Sequence, residues 1–244
     1  MKPVVICRYA PHEGPGYFAT HLTRARIPWN ILKLDEGEAL PNAEEIAGLA
    51  MMGGPMSAND GLSWIPPMLA LVRESVAADV PVIGHCLGGQ LLAKTLGAAV
   101  TRNPVKEIGW GEIEVLDTSV ASEWSAGPTF LSYHWHGETF SIPPGAHRIW
   151  SSAYCGNQAF VIGPHVGMQC HIEITAEMID LWCETGAGEI ERNLARSPAV
   201  QTPQAMREDL RARLDALRAV ADRVYDRWIQ GLIDQIGDDR FICP

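Results

Sequence analysis

Cys86 lies in Gly84-His85-Cys86-Leu87-Gly88-Gly89-Gln90, with glycines two residues to either side of the sulfur. An apolar run at 80–83 precedes it, and Leu91, Leu92, Thr95 and Leu96 follow at helical spacing. This pattern predicts a strand, a sharp turn and a helix, the mechanics of a nucleophile elbow with sulfur in place of serine oxygen. The helix would aim its N-terminal N–H groups at Cys86 and favour thiolate over thiol. A small buried cysteine in a glycine-containing turn is the plainer reading of the same residues. Two other groups bear on the choice. Gly53-Gly54-Pro55-Met56-Ser57 ends a predicted strand, where glycines expose backbone N–H groups either as a simple tight turn or as an oxyanion hole. Val166-Gly167-Met168-Gln169-Cys170-His171-Ile172-Glu173 places a histidine and a glutamate at i and i+2, on one side of a strand. Glu173 could then fix the tautomer of His171 and support its imidazolium, or the two could be a solvated pair closing the strand.

These groups need elements that bring them to one place. Residues 2–9 read as a buried strand around Val4, Val5 and Ile6, and 14–26 as a helix burying Phe18, Leu22 and Ala25. Strands are expected at 29–34 and 48–52, then a crossover helix over 66–78 opening at Pro66 or Pro67. This alternation, repeated through 80–99, predicts a parallel sheet with helices on both faces and ligands at the carboxyl ends of its strands. From 101 to 161 the pattern changes to mixed or antiparallel strands at 108–116, 129–133, 147–152 and 158–162. Trp110, Trp124, Trp135 and Trp150 in this stretch read as packing or pocket wall.

Thr175 is placed to cap a helix over 176–183, with another over 186–196. Residues 197–203 (SPAVQTP) have linker composition. Beyond them Met206, Leu210, Leu214, Leu217, Val224, Trp228 and Ile236 form a helical stripe, with a break expected near Gly231. Asp209–Arg213 and Arg218–Asp222 are spaced for i,i+4 ion pairs. The stripe is expected to dock on its own domain; a homodimer or partner contact is the alternative.

Composition narrows the function. The 244 residues are 47% hydrophobic and 20% charged, as in ordinary globular proteins. A formal net charge of −10 argues against nucleic acid or an anionic membrane as the main partner. No apolar run approaches the ~20 residues of a membrane span, and the first ten residues read as a strand instead of a signal peptide. The six cysteines are scattered without C-x-x-C spacing, which fits a reducing cytoplasm better than disulfides or structural zinc. His134 and His136 share a strand face, but without a third ligand nearby they do not argue for metal.

The three groups, in this order and at these separations, resemble the class I (triad) glutamine amidotransferase domain, where G-G-P-x-S, G-x-C-x-G-x-Q and M-Q-F-H-P-E recur. Glu107-Ile108-Gly109-Trp110 and the segment 134–140 (HWHGETF) resemble its GMP-synthetase-like subgroup. The resemblance covers about residues 1–183. It implies a flavodoxin-like, doubly wound α/β fold, mostly parallel, with a small mixed or antiparallel extension. The domain would span 1–196, and 197–244 would be a linker and a C-terminal amphipathic helix. It implies Cys86 as nucleophile, His171 as base and then acid, and Glu173 as its orienter. The amides near Gly54 and of Leu87 would hold the oxyanion, and Gly53, Gln90, Trp135 and His136 would lie near the substrate. That substrate would be glutamine or another γ-glutamyl small molecule, cleaved without metal or cofactor, with ammonia passing to a separate synthase subunit. A stand-alone γ-glutamyl peptidase and a non-catalytic regulatory subunit are the alternatives. An α/β-hydrolase is disfavoured because the glutamate follows the histidine by two residues. Two positions depart from the family pattern: Cys170 replaces Phe, which puts a second thiol near the site, and Ile172 replaces a Pro that would stiffen the turn between His171 and Glu173.

Overall fold

The computed structural model of the protein describes residues 2–125 and 127–239; Cys243 and the side chain of Ile236 lie outside the described residues. The first half alternates strand and helix: β1 (Val4–Arg8), α1 (Gly16–Arg24), β2 (Trp29–Lys33), β3 (Gly48–Met51), α2 (Ile65–Ala77), β4 (Val82–His85) and α3 (Leu87–Thr95). Then come β5 (Val100–Val115), the short helix α4 (Ser119–Trp124), β6 (Thr129–Phe140), β7 (His147–Ser152), β8 (Ala159–Ile162) and β9 (His165–Met168). Helices α5 (Ala176–Thr185), α6 (Ala187–Leu194), α7 (Pro203–Arg207) and α8 (Leu210–Asp239) complete the chain.

All nine strands join one sheet, in the order β2-β1-β3-β4-β9-β8-β7-β5-β6. The run from β2 to β9 is parallel and the rest antiparallel. Side chains alternate between two cores: Val4 and Ile6 of β1 enter one, Val5 and Cys7 the other. Such alternation of apolar residues on both sides marks a strand covered on both faces. Helices α2 and α3 pack on one face, and α1, α5 and α8 on the other. This is the doubly wound, flavodoxin-like architecture expected from the sequence.

The antiparallel part is larger than expected. β5 runs for 16 residues and β6 for 12, where shorter pieces were read. In β5 Pro104 explains the difference, because it cannot donate to a ladder and sits inside the register shift between Arg102 and Glu107. Helix α1 ends at Arg24, leaving Ala25 exposed, and Ile27 takes its expected place in the core.

The stretch 197–203 is bound along β5 where it reads as a free linker in sequence. Ile108 donates to the Ala199 carbonyl at 2.9 Å, and Gln201 brackets Trp110 by bonds to its N–H and its carbonyl. Helix α8 continues past Gly231 without a break and docks on its own domain. Leu214, Leu217, Val224 and Trp228 are buried, and Trp228 and Leu232 press so closely on Gly48 of β3 that a Cβ there would lie under 3 Å from both. The charged face pairs differently from expectation. Arg218 meets Asp215, while Asp222 turns to His21, Tyr17 and Arg24 of α1.

Candidate active site

β4 delivers His85 to the carboxyl end of the sheet, and the next residue turns sharply. Cys86 has φ 50° and ψ −106°, a conformation that a non-glycine residue rarely holds without support from its surroundings. That support is backbone. Cys86 N–H donates to the Met168 carbonyl at 2.8 Å, and Gly88 N–H to the Met52 carbonyl at 3.1 Å. The flanking glycines make the turn possible: a Cβ on Gly84 would lie 2.4 Å from Gly88 carbonyl atoms, one on Gly88 2.2 Å from Met51 O, and one on Gly89 2.4 Å from Met168 O. The elbow of the sequence reading is present, and Leu87 opens α3 beside it.

His171 and Glu173 do not reach the site as alternate residues of one strand. β9 ends at Met168, and both lie in the segment beyond it. Two backbone bonds pin that segment, His171 N–H to the Tyr133 carbonyl and Tyr17 N–H to the Glu173 carbonyl, each 2.8 Å. The pair forms all the same, with His171 Nδ1 2.6 Å from Glu173 Oε1 and both side chains buried. Nε2 is thereby left as the ring nitrogen available to Cys86. Burial disfavours a charged His171, but the charges of Glu173 and Cys86 outweigh it and hold the imidazole well above its ordinary pKa. Burial likewise opposes ionisation of Glu173, and His85 and His171 hold it below its ordinary value in spite of that.

The sulfur has two polar neighbours. Gln169 Nε2 donates to Sγ at 3.4 Å, and the thiol points at the Trp135 carbonyl 3.9 Å away. Gln90 donates to Gln169 Oε1 at 3.1 Å, so it reaches the sulfur through an intermediary. A cavity of about 1080 Å³ opens over this group, with Cys86, Leu87, Gly54, Gln90, Trp135 and His171 in its wall. Gly54 and Leu87 sit side by side: a Cβ on Gly54 would be 2.7 Å from Leu87 Cδ2. A Cβ on Gly53 would meet Glu13 at 2.6 Å and His171 at 3.1 Å. His136 also lines the cavity, with Nδ1 bonded to Glu138 O and Nε2 facing Glu107 Oε2 at 3.0 Å.

The sequence reading missed three contributors. Glu13 enters from the loop after β1, where its carboxyl is pushed up to about 8 by burial and the nearby Glu173 charge, against the opposing pull of His171. Its position at a strand's carboxyl end was the available signal. His85 lies behind the His171–Glu173 pair, 3.8 Å from Glu173 Oε2 and 3.2 Å from Tyr225 OH, which α8 supplies. Gln169 is the third; it matches the glutamine of the M-Q-F-H-P-E pattern, but only the fold shows that its side chain reaches the sulfur. Cys170 is fully buried, and its thiol is pushed up to about 12 by that burial, so it acts as packing.

The glutamine amidotransferase class-I family model matches residues 18–180. The chain belongs to that family. It is 34% identical over 163 residues to the glutamine amidotransferase-like protein YfeJ of Salmonella typhimurium, covering 63% of this chain and 67% of that one. A GMP synthase [glutamine-hydrolyzing] of Aeropyrum pernix is 32% identical over 153 residues, 60% of this chain but only 28% of the synthase. The chain thus spans little more than a quarter of the synthase it matches. Among solved structures, a glutamine amido transferase from Methylobacillus flagellatus superposes with a TM-score of 0.92 at 45% identity, covering 95% of both chains. A Thermotoga maritima glutamine amidotransferase superposes at 0.83 with 28% identity, covering 93% of this chain and 98% of that one. Coverage of 95% takes in most of α8, so that helix belongs to the architecture the two chains share. No described helix is long and apolar enough to cross a membrane.

Proposed function

We propose that the protein hydrolyses the side-chain amide of glutamine, or a related γ-glutamyl amide, through Cys86, His171 and Glu173. The observation that carries this is the elbow cysteine held at positive φ on the cavity wall, beside an imidazole that Glu173 binds at 2.6 Å. The Cys86 thiolate attacks the amide carbon, and the negative charge on its oxygen is met by amides at Gly54 and Leu87, the latter at the positive end of α3. His171 gives its proton to the departing nitrogen, ammonia leaves, and a γ-glutamyl thioester remains. Water then attacks the thioester with His171 as base, glutamate is released and the thiolate returns. Residues 1–196 carry this chemistry, and 197–239 brace it through α8 and Tyr225. A separate synthase subunit would receive the ammonia, which fits the GMP synthases that match this chain over only part of their length.

One observation favours a second substrate class. The cavity is just above the ~300–1,000 Å³ typical of ligand sites, more than glutamine needs, and Arg102, Lys106, Arg192 and Arg196 stand in its wall. A γ-glutamyl peptide, with a further carboxylate beyond the scissile amide, fits such a rim. Incubation with glutamine and with γ-glutamyl dipeptides, measuring ammonia, glutamate and free amino acid, separates the two. Both reactions should disappear in Cys86→Ala, and an electrophilic glutamine mimic should label the wild type at Cys86 alone. Turnover that survives in Cys86→Ala would sink the proposal, and so would absence of both turnover and labelling.

A further inference from the structure

His134 and His136 lack a third ligand in the sequence, and the fold supplies one. Glu107 of β5 is paired with His136 of β6 where the ladder resumes after the Pro104 irregularity. One ligand atom from each of Glu107, His134 and His136 lies within 4.8 Å of the others, and all three residues are buried. Bulges next to functional sites often re-aim side chains in this way.

The hydrogen bonds decide what the cluster requires. His136 Nδ1 lies 3.0 Å from the Glu138 carbonyl, which can only accept, so Nδ1 carries the proton. In the neutral ring Nε2 is then a lone pair, yet it faces Glu107 Oε2, another acceptor, at 3.0 Å with both side chains almost fully buried. Two acceptors held this close in a dry site need a cation between them. His134 turns its Nε2 edge to Gly111 and brings Nδ1 within 3.4 Å of the Gln158 amide. Glu107 is fixed by Ser152 at 3.1 Å and by Gln158 at 2.9 Å. His134 Nε2, His136 Nε2 and Gln158 Oε1 are buried polar atoms without a hydrogen-bond partner among the described residues. Half a turn of the Gln158 amide, whose two ends are nearly isosteric, would bring Oε1 in as a fourth oxygen or nitrogen donor.

We propose that Glu107, His134 and His136 bind one divalent transition ion, zinc by the chemistry of the donor set, at a buried site distinct from Cys86. Two imidazoles and a carboxylate are a common zinc set, and protein backbone around a ligating histidine ring, as at His136 Nδ1, is the usual outer support. Zinc bonds of ~2.0–2.1 Å put tetrahedral ligands about 3.3 Å apart. The His136–Glu107 pair is already near that separation, and the widest of the three must close by about 1.5 Å at most. The ion would be structural. It would tie β5 to β6 around Trp135, whose carbonyl faces the Cys86 sulfur.

The test uses the full chain purified without chelator or affinity metal, assayed for zinc, then stripped and titrated with cobalt(II). The expected result is about one equivalent of metal per chain and the visible bands of four-coordinate cobalt, quenched by added zinc. Glu107→Gln should weaken binding at least tenfold, and Glu112→Gln, an exposed position on the same strand, should leave it unchanged. If the wild type takes up neither metal, or takes them up no better than Glu107→Gln, the proposal is overturned. The wild-type titration decides the matter alone if the Glu107 variant fails to fold.

Discussion

Replacing Glu173 by Gln isolates the electrostatic part of the proposed triad. Glutamine keeps an oxygen that can accept from His171 Nδ1, so tautomer and ring orientation survive while the countercharge is lost. Glu173 and His171 are both buried and in contact at 2.6 Å. With charge centres roughly 4 Å apart and an effective dielectric near 20, their attraction is about 4 kcal/mol. Each ~1.4 kcal/mol is tenfold in rate, so kcat should fall between about 10² and 10³-fold. KM should change little, because neither residue need contact the glutamyl backbone. The sign of the pH effect follows from the same pair. Glu173 is one of the charges holding the His171 proton, so without it that proton is lost at lower pH, and the high-pH limb of the activity profile moves down. Ammonia release at saturating glutamine, measured across pH alongside labelling by an electrophilic glutamine mimic, reads both effects. A variant with unchanged melting temperature and kcat within about threefold of wild type would refute the role given to Glu173.

Gly88→Ala directs a methyl group to within 2.2 Å of the Met51 carbonyl oxygen, so it should cost about 3 kcal/mol or more in urea denaturation, while Gly61→Ala, with nothing within 4 Å, should be near neutral. His165 Nδ1 accepts from Val82 N–H at 3.2 Å, and burial pushes its pKa down to about 4. The unfolded chain therefore takes up that proton first as pH falls from 6.5 towards 4, and about 3 kcal/mol of stability should be lost across that window but not in His165→Gln. Glu13 has the opposite sign: its carboxyl ionises at about 8 in the fold, so stability falls as pH rises from 4.5 to 8, and Glu13→Gln should flatten that slope in thermal melts. Trp228→Ala empties a fully buried site between Phe18 and Gly48 and should lower stability by roughly 3–5 kcal/mol; a loss under 1 kcal/mol would show that α8 is not part of the core.

The parallel half of the sheet was legible because its strands are short apolar runs separated by helical periodicity, and the elbow because glycine spacing reports backbone clearance directly. The antiparallel half was less legible. Pro104 and the glycines of β5 break the two-residue alternation, so one 16-residue strand reads as a shorter piece. The segment 197–203 misled for a related reason. Ser, Pro and Gln are linker-like by type, but Gln201 spends its side chain on the backbone of Trp110, a contact no local pattern records. Pairings of His21 with Asp222 and of His85 with Tyr225 join positions about 200 and 140 residues apart, beyond the reach of any periodicity. Glu107 joined His134 and His136 for the same reason: cross-strand register is set by the bulge, and the bulge is not written in either strand alone.

The two departures from the family pattern show how the fold substitutes for a residue it lacks. A proline between His171 and Glu173 would restrict that segment locally. Here Ile172 is 1% exposed and lies in the core with Ile174 and Met178, while backbone bonds to Tyr133 and Tyr17 hold either end. Packing and two hydrogen bonds thus supply from outside the stiffness that a ring would supply from within. The arrangement makes the proposed triad dependent on distant elements, since Tyr17 sits on α1, α1 packs on α8, and Tyr225 of α8 touches His85 behind Glu173. The strained Cys86 backbone needs the same support, because a positive φ persists only where its surroundings over-determine it. Substitutions along α8 should therefore reduce labelling of Cys86 before they unfold the sheet, although α8 itself lies on the far side of the triad from the cavity.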